Sequence, residues 1–368
     1  MKKFTVASSV LVLLGLCSSS EASQGVIDMH CHVAGIGAGG SGCFVSDSIR
    51  RSWKYRIFLK AFGVTEKDLL REGDGLVLKR LSENLSRTRS VSSAVVLSLD
   101  GVVGADGELD MKNTEMYIPN DFVATEVRKY QNLLFGASIN PYRRDAIQRL
   151  EKAAQDGAVL VKWLPPIQNI DPSDPRLIPF YLKLKDLGLP LLTHTGEEGS
   201  FTRSKDELGD PELLRLPLSL GVTVIAAHSA CSGRSHGESN YDRFIRLCRE
   251  YPNLYGDISS LTQINRLGRL QHVLKQPELR GRLLYGTDMP LINTGIVSSF
   301  AFPFRLSTRQ MIAIARISNP WDRDVALKEM LGVRQEIFTN AAGMIKGHDI
   351  SSQNPPHPSP LPRRGEGA

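Results

Sequence analysis

The chain has 368 residues, 41% hydrophobic and 23% charged, enough for one large globular domain or two ordinary ones. Its net charge of +6 comes from 45 basic and 39 acidic residues with no long like-charged block. That excludes a nucleic-acid-binding stripe and the low-hydrophobicity composition of a disordered chain.

The first 22 residues read as a secretory signal peptide. Lys2 and Lys3 form a positive start, Phe4 to Leu16 an apolar stretch too short to span a bilayer, and Ser20-Glu21-Ala22 a cleavage signal. Export to the periplasm or the medium is expected. Leu14-Gly15-Leu16-Cys17 resembles a bacterial lipobox, with a bulky Leu16 departing from it, so a lipid anchor at Cys17 is the alternative. Four cysteines remain after the cut. Cys43 and Cys231 fall in loops that an oxidising compartment would allow to pair, and Cys31 and Cys248 read as free and buried.

Next come eight short, near-continuous apolar runs at Gly25–Met29, Ser93–Leu99, Leu133–Ile139, Ala158–Leu164, Pro190–Thr195, Thr223–Ala227, Leu254–Ile258 and Leu283–Gly286. Runs of this kind suit parallel strands covered on both faces. Helical stretches alternate with them at Asp74–Arg89, Asp121–Gln131, Arg143–Asp156, Asp174–Leu187, Pro211–Leu220, Tyr241–Glu250 and Gln263–Lys275. The alternation predicts a (β/α)8 TIM barrel over residues 23–346, with extra helices at Ser307–Arg316 and Trp321–Leu331. The connection from Val33 to Ser90 is too long for a plain turn. It carries a glycine-rich patch, Gly35 to Gly42, read as a flexible rim without the lysine of a phosphate loop, then a basic aromatic stretch. There Arg51 and Trp53 suit either substrate contact or a surface helix. From residue 347 the chain reads as a disordered proline-rich tail.

Polar residues at the C-terminal ends of barrel strands are the ones to collect for chemistry. His30 and His32 end the first run; as residues i and i+2 of a strand they share a face, with Cβ atoms roughly 6 to 7 Å apart, a spacing that lets two imidazoles reach one ion. Lys162 ends the fourth run, His194 the fifth, His228 the sixth and Asp288 the eighth. Asn140, Asp257 and the loop Thr195-Gly196-Glu197-Glu198 face the same mouth as further contacts. A buried Lys162 calls for an anionic neighbour.

The motifs Val26-Ile27-Asp28-Met29-His30-Cys31-His32, Leu160-Val161-Lys162, Leu192-Thr193-His194-Thr195-Gly196, Ala226-Ala227-His228 and Leu284-Tyr285-Gly286-Thr287-Asp288 resemble those of the metal-dependent amidohydrolase superfamily. More narrowly, they resemble its amidohydrolase-related branch, which includes aminocarboxymuconate-semialdehyde decarboxylase, over about Gly25 to Met344. The resemblance implies a divalent metal, zinc or similar, held by His30, His32, His194 and Asp288. It places His228 nearby as a second-metal ligand or a proton-transfer group. Lys162 bridges two ions if carboxylated; otherwise one ion is expected and Lys162 is structural or binds substrate. Asp288, His228 and Lys162 are the expected catalytic residues.

Such a ligand set leaves room for a water and predicts hydrolysis of an amide, ester or lactone in a small, carboxylate-bearing molecule. Arg203, Arg234 and Arg305 in the mouth loops suit the carboxylate. Non-oxidative decarboxylation, and an inactive exported binding protein, are the alternatives.

Overall fold

The computed structural model describes residues 25–345. The expected signal peptide, Cys17 and the expected proline-rich tail lie outside them. All eight expected strands form: β1 (Ile27–His32), β2 (Ser93–Leu97), β3 (Leu133–Ala137), β4 (Ala158–Trp163), β5 (Leu191–Thr193), β6 (Val224–Ala226), β7 (Leu254–Asp257) and β8 (Leu283–Leu284). They pair in parallel in chain order. The sheet closes on itself where Met29 N donates to Tyr285 O at 3.1 Å, His32 N to Met289 O at 3.0 Å and Asp288 N to His30 O at 2.9 Å. This is the expected (β/α)8 barrel.

Alternation along the strands divides the core into two layers. Ile27, Met29, Val95, Leu134, Leu160, Leu192, Ile225 and Leu284 cluster inside the barrel. Their neighbours Val96, Phe135, Val161, Leu191 and Val224 pack instead with helix residues such as Leu150, Phe180 and Leu184. On β1 the register with β2 shifts between Asp28 and Cys31. This bulge moves the inward phase by one residue, so Met29 belongs to the barrel interior while His30 and His32 both turn toward the mouth. Cys31 faces the outer layer, as the i, i+2 argument requires.

A helix that the run analysis missed, Gln335–Ile345, sets Ala341 and Ile345 into the interior cluster where the strands begin. Asn340 Nδ2 donates to Leu283 O at 2.9 Å there. The long connection after β1 also carries helices at Asp47–Arg51, Trp53–Ala61 and Glu66–Glu72, before the expected one at Gly75–Leu85. Its glycine-rich patch is tied in place and does not form a loose rim. Buried Asp74 accepts from Ile36 N at 3.0 Å, Gly37 N at 2.8 Å and Ser41 Oγ at 2.5 Å. Trp53 is 69% exposed and Arg51 pairs, among the described residues, only with Asp47 on its own helix, so the two belong to neighbouring surface helices. The four cysteines are buried and free; Cys43 and Cys231 are not bridged.

Candidate metal centre

The mouth is built from strand ends whose backbone bends sharply. After β6, His228, Ser229 and Ala230 all have positive φ (57°, 48° and 51°), and Asp288 after β8 has φ 62°. Left-handed conformations cost a non-glycine residue roughly 1 to 3 kcal/mol and persist where the surroundings over-determine them. Here Asp257 Oδ1 accepts from His228 N at 2.7 Å, and the bond from Asp288 N to β1 completes the barrel. Gly286 leaves the room for this packing: a Cβ added there would lie 2.9 Å from His30 Cβ.

Three buried histidines share one polarity. His30 Nδ1 lies 2.8 Å from Asp257 Oδ2, His228 Nδ1 lies 2.8 Å from Ser259 Oγ and 3.2 Å from Ser259 O, and His194 Nδ1 lies 3.5 Å from Glu198 Oε2. Oxygen partners at Nδ1 assign the proton to that nitrogen and leave each Nε2 unprotonated, although that of His30 is approached by Lys162 Nζ at 3.0 Å. Burial holds all three rings below the ordinary imidazole range, His30 at about 4 with Lys162 adding to the effect, so they are neutral near pH 7. For Asp288 burial acts upward, but the charges that the facing His228, His32 and His30 carry when protonated outweigh it and hold the carboxyl well below its usual range.

These groups converge. His30 Nε2 is 3.1 Å from His32 Nε2, and Asp288 Oδ1 is 3.2 Å from His32 Nε2 and 3.6 Å from His30 Nε2. Asp288 Oδ2 is 4.0 Å from His228 Nε2 and accepts a hydrogen bond from Ser260 Oγ. His30, His228 and Asp288 offer ligand atoms all within 4.8 Å of one another. His228 thus sits within the donor cluster. The rings of His194 and His228 meet edge to face at 5.4 Å, and His194 Nε2 is buried without a partner among the described residues. Metal–ligand bonds of about 2.0 to 2.2 Å set neighbouring ligand atoms about 3 Å apart. The 3.1 to 3.6 Å separations, the neutral imidazoles and the orphaned His194 Nε2 fit a divalent cation.

Lys162 corrects one expectation. Its ammonium has no carboxylate within ion-pair distance among the described residues; Nζ lies 3.0 Å from His30 Nε2. Burial pulls it down to about 8, against the more distant charges of Asp257, Asp288 and Glu198. Asn140 is a second correction. It does not reach the cluster, because its Nδ2 donates to Gly101 O and Gln168 O, both at 2.9 Å, and so braces two loops. Of the loop after β5, Glu198 reaches His194 while Thr195 Oγ1 donates to Ala227 O at 3.0 Å. Arg203, Arg234 and Arg305 are exposed, and Arg234 is spent on Gly237 O. Ser259 and Ser260 were missed; Ser259 was readable as the residue two beyond Asp257, on the same side of an extended chain.

No curated protein matches the sequence. Among solved structures, an uncharacterised TIM-barrel protein from Bordetella bronchiseptica is 17% identical, with 83% of this chain and 99% of that chain covered and a TM-score of 0.51. A probable 2-pyrone-4,6-dicarboxylic acid hydrolase from Acinetobacter baumannii is 13% identical, with 88% and 99% covered and a TM-score of 0.50. A 5-carboxyvanillate decarboxylase from Sphingomonas paucimobilis is 11% identical, with 88% and 99% covered and a TM-score of 0.46. The first two likenesses show the fold. A family model described as amidohydrolase matches residues 27–312, most of the barrel and all of the strand ends described above. The chain therefore belongs to the amidohydrolase family.

Proposed function

We propose that this protein is an exported, metal-dependent hydrolase that uses water to cleave a C–N or C–O bond in a small amide, ester or lactone. The observation that carries the reading is the convergence of His30 Nε2, His32 Nε2 and Asp288 Oδ1 within 3.1 to 3.6 Å, together with a buried His194 Nε2 that lacks a partner among the described residues. His30, His32, His194 and Asp288 would hold one divalent cation, zinc or similar. When bound, such a cation lowers the pKa of water toward about 7 and polarises a carbonyl.

The chain's own groups supply the rest. Asp257 fixes the His30 ring through Nδ1, and Ser259 does the same for His228, so neither imidazole has to reorganise. Asp288 Oδ2, between Ser260 Oγ and His228 Nε2, is placed to take a proton from the attacking water and return it to the leaving group. His228 Nε2, with its lone pair open, polarises or relays beside it. Lys162 holds a positive charge against His30 with no carboxylate within ion-pair distance among the described residues, which favours developing negative charge at the mouth.

Metal quantification on the purified mature chain, then a panel of lactones, amides, esters and aryl carboxylates, tests this. Metal-dependent hydrolysis of at least one of the first three classes is expected. Release of carbon dioxide from an aryl carboxylate with no hydrolysis of any panel member would overturn it.

A further inference from the structure

Arg266 has the wrong surroundings for a structural arginine. The other buried or half-buried arginines among the described residues, Arg143, Arg149, Arg215, Arg243, Arg246, Arg282 and Arg323, all hold carboxylates or backbone carbonyls. Arg266 is half-buried, its Nη1 is fully shielded, and its guanidinium has no hydrogen-bond or ion-pair partner among the described residues. A shielded cationic donor without an acceptor is destabilising and is retained where an acceptor arrives from outside.

Its position says where that acceptor comes from. Arg266 lies in the loop after β7, and Arg266 N donates to Gln263 O at 2.9 Å. Gln263 Nε2 donates to Ser260 Oγ at 2.6 Å, and Ser260 Oγ donates to Asp288 Oδ2. The loop is thereby pinned to the candidate metal centre, and the Arg266 charge reaches His194 and His228, adding to the effect of burial on both rings. In the same loop Thr262 Oγ1 is buried and also lacks a partner among the described residues. Ile264 and Leu267, each 47% exposed, flank Arg266 with apolar surface.

We infer that Arg266, with Thr262, is the subsite that recognises a carboxylate on an otherwise apolar substrate, an inference that rests on the hydrolase reading above. A guanidinium fork matches a carboxylate bidentately and discriminates it from an uncharged group. A single guanidinium suits a monoanion; a phosphate dianion would call for more cationic donors, and Arg203, Arg234 and Arg305 stand exposed on other loops.

The test compares the metal-loaded full chain with Arg266→Gln and Arg266→Lys, using benzoate, its uncharged isostere nitrobenzene, and phenyl phosphate as probes in equilibrium binding. The wild type should bind benzoate at least about tenfold more tightly than nitrobenzene, and Arg266→Gln should abolish that preference. Arg266→Lys should recover part of it, and metal content and circular dichroism should be unchanged in both variants. Equal binding of benzoate and nitrobenzene by the wild type, binding of neither, tighter binding of phenyl phosphate than of benzoate, or a preference that survives in Arg266→Gln would overturn it. A wild-type chain that holds no metal would sink the hydrolase reading instead, so the two failures are distinguishable.

Discussion

At the end where its strands begin, the barrel interior holds Ile27, Met29, Leu134, Leu160, Leu192 and Leu284, closed by Ala341 and Ile345 from the last helix. At the other end the interior holds His30, Lys162, His194, His228, Asp257 and Asp288, every one of them buried. The same strands supply both ends, often two residues apart, as Leu160 and Lys162 or Leu192 and His194 show. At the apolar end alternation and packing are sufficient. The polar end needs a bulge in β1, positive φ at five non-glycine residues (His228, Ser229, Ala230, Ser260 and Asp288) and oxygen partners behind three imidazoles. One end is built to be stable, and the other is held in an arrangement that a compact chain would otherwise avoid.

If that division is right, substitutions at the two ends should have different consequences. The largest effect is expected at Asp288→Asn, which removes the proton acceptor and one donor. Turnover of whichever panel compound is hydrolysed should fall by roughly 10²- to 10⁴-fold, without a lower thermal midpoint. Leu160→Ala, on the same strand as Lys162, should do the reverse. It should destabilise the fold by about 2 to 5 kcal/mol in urea titration, while metal content stays at the wild-type level in folded protein. Asp257→Asn sharpens the comparison, since it keeps the shape and removes the charge behind His30; metal affinity should weaken by roughly 10- to 100-fold in competition with a chelator. The smallest effect belongs to the surface helices after β1, where Arg51→Ala and Trp53→Ala should change turnover by less than about twofold. A larger loss there would move the substrate pocket onto the insertion.

The contrast also explains what could be read before folding. All eight strands were legible because their apolar runs are nearly unbroken, and His30, His32, His194, His228 and Asp288 were legible because strand ends are where a barrel keeps its chemistry. The helix Gln335–Ile345 was not. Its inward residues are few, and Thr339 and Asn340 weaken the helical pattern between them. The support behind the imidazoles was only partly readable: Glu198 lies four residues from its ring in a loop already expected at the mouth, whereas Ser259 gains meaning only from the His228 ring brought to it from the neighbouring strand. The partner expected for Lys162 failed for a related reason. A strand position fixes the direction in which a side chain points, but its neighbour is chosen by another strand, here His30 of β1. Arg266 carried no sequence signal; its isolation exists only once the surrounding loops are in place.

The central claim is that side chains from β1 and from the ends of β5 and β8 share one cation. Elemental analysis of the purified chain, of His30→Ala and of His194→Ala, each dialysed into metal-free buffer, tests it directly. The account predicts about one divalent ion per chain in the wild type and its loss in both variants. A wild-type chain without metal, or a His194→Ala chain that keeps the full complement, would contradict it.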